Sequence, residues 1–147
     1  MGNVDAGKST LIGTLKSNIL DDGRGSSRQL VPRYRHELET GRTSSPITHI
    51  VGFHENGSIC NSASVIKGHF SFPNDAHQVI TFLDVAGHEK YLKNTIQAIS
   101  QGMIDHALVL VNARQEPNHM TVHHLNLASS LGIPIIIVMT KVSRLLV

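Results

Sequence analysis

Apolar residues in the first part of the chain follow a helical period. Leu11, Ile12, Leu15 and Ile19 line one face of KSTLIGTLKSNIL, so Lys8 to Leu20 is expected to form a helix with Ser and Thr at its start. Residues 21 to 47 break that rhythm. They are polar and rich in Gly, Ser and Arg, and only Pro32 to Glu39 has helical character, which inside a compact domain marks a functional loop. Thr48 to Phe53 and Ser58 to Cys60 flank Asn56-Gly57, a strong hairpin signal, and Val65 to Phe72 suggests a further strand before the turn Pro73-Asn74-Asp75. The rest is regular: Gln78 to Asp84 as a buried strand, Glu89 to Gln101 as a helix, and His106 to Val111 as a buried strand. Asn118 to Leu131 follows as a helix and Pro134 to Thr140 as a strand, buried over Ile135 to Val138. Strands alternating with helices of this length predict right-handed crossovers and an α/β fold, a mostly parallel sheet with helices on both faces.

Composition narrows the setting. At 147 residues, 40% of them hydrophobic, the chain suits one packed domain. Its longest apolar run, Ile135 to Met139, is far too short to cross a bilayer, and no basic start leads into an apolar stretch. A cytoplasmic protein without a membrane partner is expected. Met1-Gly2 does not complete a myristoylation signal, because Ala6 stands where Ser or Thr is needed. The single cysteine, Cys60, leaves no disulfide partner and no Cys-based zinc site. Thirteen Lys and Arg against eleven Asp and Glu give a net charge of +2, so charge alone does not argue for nucleic-acid binding.

The strongest chemistry lies at the start. Gly2-Asn3-Val4-Asp5-Ala6-Gly7-Lys8-Ser9 fits G-x-x-x-x-G-K-[ST] and runs into the first helix. Glycines let backbone N–H groups wrap phosphates, and the helix N-terminus adds positive potential. Lys8 reaches the terminal phosphates and Ser9 offers a hydroxyl to Mg²⁺. A second element, Asp84-Val85-Ala86-Gly87, sits at the carboxyl end of the apolar strand Val79 to Leu83, followed by His88-Glu89. A carboxylate there can hold Mg²⁺, and the Gly87 N–H can sense a γ-phosphate. Between them, Gly41-Arg42-Thr43-Ser44-Ser45 offers Thr43 as a hydroxyl able to close over the metal. Thr140-Lys141 follows the last strand, where the crevice at the carboxyl edge of a parallel sheet binds a base.

Taken in this order, GNVDAGKST, GRTSS, DVAGHEKYLKNT and TKVS resemble the G domain of the translational, elongation-factor-like GTPases, and within them the GTP-binding protein 1 and 2 branch. The resemblance spans almost the whole chain. It implies a P-loop NTPase G domain that binds GTP and GDP with Mg²⁺ and hydrolyses GTP as a molecular switch. It also implies roles for individual residues. Asn3, Val4, Asp5, Ala6, Gly7, Lys8, Ser9 and Thr10 would cradle the phosphates, Gly87 would read the γ-phosphate, and Thr140 and Lys141 would lie at the base. Ser9, Thr43 and Asp84 would serve the metal. His88 would orient the attacking water, assisted by Asp5 through a monovalent cation. Association with the ribosome or RNA follows from the same resemblance.

Three departures qualify it. The chain opens one residue ahead of Gly2, so the strand that launches the phosphate loop is expected to be missing, at a cost to its neighbours' backbone pairing. Ser143 stands where the guanine motif ends in aspartate, and a serine hydroxyl cannot supply a bidentate anionic acceptor. The sequence stops at Val147, ahead of the last guanine-contacting loop and the barrel domains of such factors. Residues 1–147 therefore read as a partial G domain, with a degenerate, non-catalytic nucleotide-binding fragment as the alternative. His119, His123 and His124 read as a solvated helix face, and Tyr91, Leu92, Ile96 and Ile99 as the sheet-packing side of their helix.

Overall fold

The structure, a computed structural model, describes residues 1–29, 31, 34–40, 42–60 and 76–142. The expected strand Val65 to Phe72 and Ser143 lie outside the described residues, as does Gly41. Helices α1 (Lys8–Ser17), α2 (Ser26–Gln29) and α3 (Arg35–Thr40) precede strands β1 (Ile47–Phe53) and β2 (Gln78–Asp84). A 3₁₀ turn (Glu89–Tyr91), α4 (Leu92–Gln101), β3 (Ala107–Asn112), α5 (His119–Ser130) and β4 (Ile135–Thr140) follow. The chain divides into two compact units. One comprises Met1–Lys8, Arg35–Pro46 and Val85–Val147, the other Ser9–Tyr34 and Ile47–Asp84.

In the first unit β3 and β4 run parallel, from Ala107 beside Ile135 to Asn112 beside Thr140. The α5 crossover that joins them packs on both strands. Asn118 starts that helix by accepting the Thr121 N–H at 3.1 Å, which satisfies one of its unpaired first-turn donors. Met1 and Gly2 line the opposite edge of β3. The Leu110 N–H donates to Met1 O at 3.0 Å, the Met1 amino group donates to Leu108 O at 2.6 Å, and Gly2 forms a parallel bridge with Leu110. Where the first strand was expected to be missing, these two residues take up part of the backbone pairing along β3. The buried core of the unit includes Val85, Ile99, Val109, Leu110, Met120 and Ala128.

The second unit carries the antiparallel pair, β1 with β2, from Ile47 beside Asp84 to Phe53 beside Gln78. The Asn56-Gly57 turn is present: Gly57 N–H donates to His54 O at 2.9 Å, and Phe53 bridges Ile59. Helix α1 ends three residues earlier than its apolar period suggests. Asn18 adopts a left-handed conformation at φ 55°, a common way for a helix to stop, and Ile19 and Leu20 project into solvent. The short α2 was not expected from the pattern. Asp21 shapes its start by accepting the N–H groups of Gly23, Gly25 and Ser27.

Two strands read as buried are not. Val79 and Ile80 on β2, and Ile136, Ile137 and Met139 on β4, are exposed. A continuous apolar run says that both faces of a strand tolerate burial, but burial itself depends on what packs there. The same holds for α4. Ile99 is buried as expected and Thr95 with it, while Ile96 is exposed. Nor is the three-histidine face of α5 uniformly solvated, because His124 is completely buried.

Candidate functional site

The phosphate loop is built from backbone conformations that side chains resist. Asp5 sits at φ 59° and Gly7 at φ 89°, both left-handed. Gly7 takes this shape without the Cβ penalty, whereas Asp5 is one of the few other residue types that tolerate it. Ala6 N–H closes a turn to Asn3 O at 3.3 Å, and Ala6 itself is buried. Val4 lies in the turn, with Asp5 exposed at its tip. Lys8 folds back over the loop, its Nζ donating to Gly2 O at 3.0 Å and Asn3 O at 2.8 Å. These carbonyls fix the ammonium over the concave backbone, where it complements an anion.

Two further predicted residues join Lys8 there. A Cβ on Gly87 would lie 2.5 Å from Lys8 Nζ and from Gly2 O, so only glycine lets this backbone approach the loop so closely. Thr140, at the end of β4, donates its hydroxyl to Ala6 O at 3.0 Å and Val111 O at 3.2 Å, tying the loop to the carboxyl edge of the parallel strands. Lys141 follows in a left-handed conformation, exposed, with its carbonyl accepting from Arg114 Nε at 3.1 Å. The Arg114 contact carried no signal in the sequence.

His88 caps the 3₁₀ turn. Its Nδ1 accepts the Lys90 N–H at 3.1 Å, and its ring lies edge-on to Tyr91 with centroids 6.2 Å apart. With Nδ1 accepting, the neutral ring carries its proton on Nε2. That nitrogen is then a donor of fixed orientation.

In the second unit, Ser9 Oγ donates to Asp84 Oδ2 at 3.2 Å. Asp84 is 4% exposed, at the last position of β2. A hydroxyl and a nearly buried carboxylate, both hard oxygen donors, match what Mg²⁺ requires. Thr10 lies half-buried in the first turn of α1. Thr43, half-buried, belongs to the first unit, just ahead of a pinned residue. Ser44 donates its N–H at 2.6 Å and its hydroxyl at 2.7 Å to Glu37 Oε1, which also accepts Ser45 N–H at 3.3 Å. Sequence reasoning overlooked Glu37, because a lone glutamate in a polar stretch gives no sign of burial.

Residues 1–146 match the family model of the elongation factor Tu GTP binding domain. The chain belongs to this family. Among curated relatives it is similar to GTP-binding protein 1 of Xenopus laevis, 41% identical over 97% of this chain and 22% of that protein. GTP-binding protein 2 of Mus musculus is 42% identical over 97% of this chain and 23% of its own length. Elongation factor 1-alpha of Methanococcus maripaludis is 33% identical over 90% of this chain and 30% of that protein. The chain thus spans less than a quarter of the first two relatives. The elongation factor Tu-type G domain accounts for the α/β fold and for the P-loop at its start, and makes the chain's family one of GTP-binding proteins. Among the described residues no helix is long and apolar enough to cross a membrane.

Proposed function

We propose that this G-domain chain binds GTP and GDP with Mg²⁺ and hydrolyses GTP to GDP and phosphate as an elongation-factor-type switch. The observation that carries the reading is the anion cradle itself: Lys8 Nζ held over the left-handed loop by Gly2 and Asn3, with Gly87 packed against it. Backbone N–H groups from Asn3 to Thr10 and the Lys8 ammonium bind the phosphates, and Gly87 N–H senses the γ-phosphate. Thr140 keeps the loop in register, and Lys141 flanks the base.

Ser9 and Asp84 are the residues that hold Mg²⁺, and Thr43 closes over it in the triphosphate form. Bound there, Mg²⁺ neutralises charge on the phosphate oxygens. Ser45 is a second reading for the closing hydroxyl, because Ser44's is taken by Glu37, whereas those of Thr43 and Ser45 make no hydrogen bond among the described residues. His88, oriented by its cap, holds the attacking water through Nε2, and Asp5 assists with a monovalent cation. The protein's contribution is positioning and charge stabilisation rather than covalent chemistry. Ribosome or RNA association and a cytoplasmic setting belong to the same proposal, supported by the resemblance to elongation factor 1-alpha.

The test is a titration of fluorescent GDP into the chain with Mg²⁺, competed by GTP, XTP and ATP, followed by phosphate release with excess GTP. Competition by GTP but not ATP, with turnover that His88→Ala lowers about a hundredfold while affinity stays within about threefold, is the expected result. Full turnover by His88→Ala refutes the water-orienting role. No nucleotide binding refutes the whole reading and returns the chain to a degenerate fragment.

A further inference from the structure

We infer that Glu37 is a positioning residue that pre-orders the switch segment 43–45 for the triphosphate-bound state. The inference rests on the proposed role of the Thr43 or Ser45 hydroxyl. Glu37 is wholly buried on α3, and its Oε1 accepts three donors from Ser44 and Ser45. Charge-assisted bonds of this kind, shielded from water, are stronger and more persistent than neutral ones.

The other groups of Ser44 are held as well. Its hydroxyl has one proton, which goes to the carboxylate, so the contact with His36 Nε2 at 2.7 Å is donated by the imidazole N–H. Its carbonyl accepts from Asn94 Nδ2 on α4 at 3.3 Å. Every polar atom of Ser44 is therefore engaged, and the hydroxyls on either side of it are presented from a pinned backbone. Mere packing does not call for a carboxylate here, since burying that charge is costly unless its hydrogen bonds are needed. What the clamp does is order the segment before ligand arrives, so that binding a γ-phosphate and its metal loses less conformational entropy. A diphosphate, which does not engage the segment, gains little.

The experiment measures Kd for fluorescent GDP and for a fluorescent non-hydrolysable GTP analogue, both with Mg²⁺, on the 147-residue chain and its variants. Glu37→Ala is expected to lower the triphosphate-to-diphosphate preference about tenfold relative to the parent, with Glu37→Gln, which keeps an acceptor oxygen, recovering part of it. A merely structural role would weaken both ligands alike. Loss of preference in Thr43→Ala or Ser45→Ala with an unchanged ratio in Glu37→Ala overturns this inference alone. An unchanged ratio in both hydroxyl variants overturns the switch reading beneath it, and this inference with it. Where Glu37→Ala does not fold, Ser44→Ala and Glu37→Gln decide: a lowered ratio in Ser44→Ala supports the clamp, and parental ratios in both overturn it.

Discussion

Replacing His124 with leucine should both stabilise the chain and flatten its response to acid. The ring is completely buried on α5, and neither nitrogen has a hydrogen-bond partner among the described residues. Burial pushes its pKa from 6.5 down to about 4, reinforced by the positive charges of the Met1 amino group, Lys8 and His123. Unfolded, the ring takes a proton near its ordinary pKa; folded, it refuses one until about pH 4. The unfolded state therefore binds more protons across this window, and stability is lost as pH falls from about 6.5 toward 4. Between pH 7 and 4.5 the shift corresponds to roughly 2 kcal/mol, since each pKa unit is worth about 1.4 kcal/mol. Leucine has a similar volume and cannot charge, so it removes this dependence along with the cost of two unsatisfied nitrogens, about 1 kcal/mol or more at neutral pH. Urea unfolding at pH 7, 6, 5 and 4.5 is the assay. The parent midpoint should fall by about 1 M more than the variant's across that range. Parallel pH profiles would show that His124 does not titrate in the buried, neutral state described here.

Three other substitutions bear on the site. Gly87→Ala places a methyl group 2.5 Å from Lys8 Nζ and Gly2 O; nucleotide affinity measured by fluorescence should fall at least about tenfold while the circular dichroism spectrum is retained. Asp84→Asn removes the charge beside Ser9 and should raise the Mg²⁺ concentration needed for half-maximal GDP binding about tenfold or more. If that titration is unchanged, the metal is held elsewhere. Ser143→Asp supplies the anionic acceptor that a guanine base needs, and should raise affinity for GTP over XTP about tenfold in the competition assay. No gain would mean that the serine is not at the base.

The shape of the glycine-rich loop was legible because the features that build it are local. A G-x-x-x-x-G-K-S loop works through backbone N–H groups and a helix start that lie within eight consecutive residues, so the spacing alone specified the cradle and Lys8. Asp84 and Gly87 were legible for a similar reason, standing at the end of an apolar strand, and α5 and β3 were placed within a residue or two. Burial was legible only in part: β3 and Ile99 are buried as expected, but elsewhere the pattern misled. Val79, Ile80, Ile136 and Ile137 look like core and are exposed, while His124, Glu37 and Lys16 look like surface and are buried.

The division has a physical basis. Sequence by itself determined most of the longer elements and the glycine-rich loop, since hydrophobic period, caps and turn residues act over a few positions and the backbone reports them directly. Tertiary structure alone decided which faces meet and what each polar group bonds. Glu37 becomes a clamp only because Ser44 and Ser45 return to it from seven and eight residues away, and Thr140 becomes a latch only because β4 ends beside Ala6. Hydrogen bonds between residues distant along the chain, and the dielectric around a buried ring, are properties of packing, and no pattern of residue types along the chain encodes them.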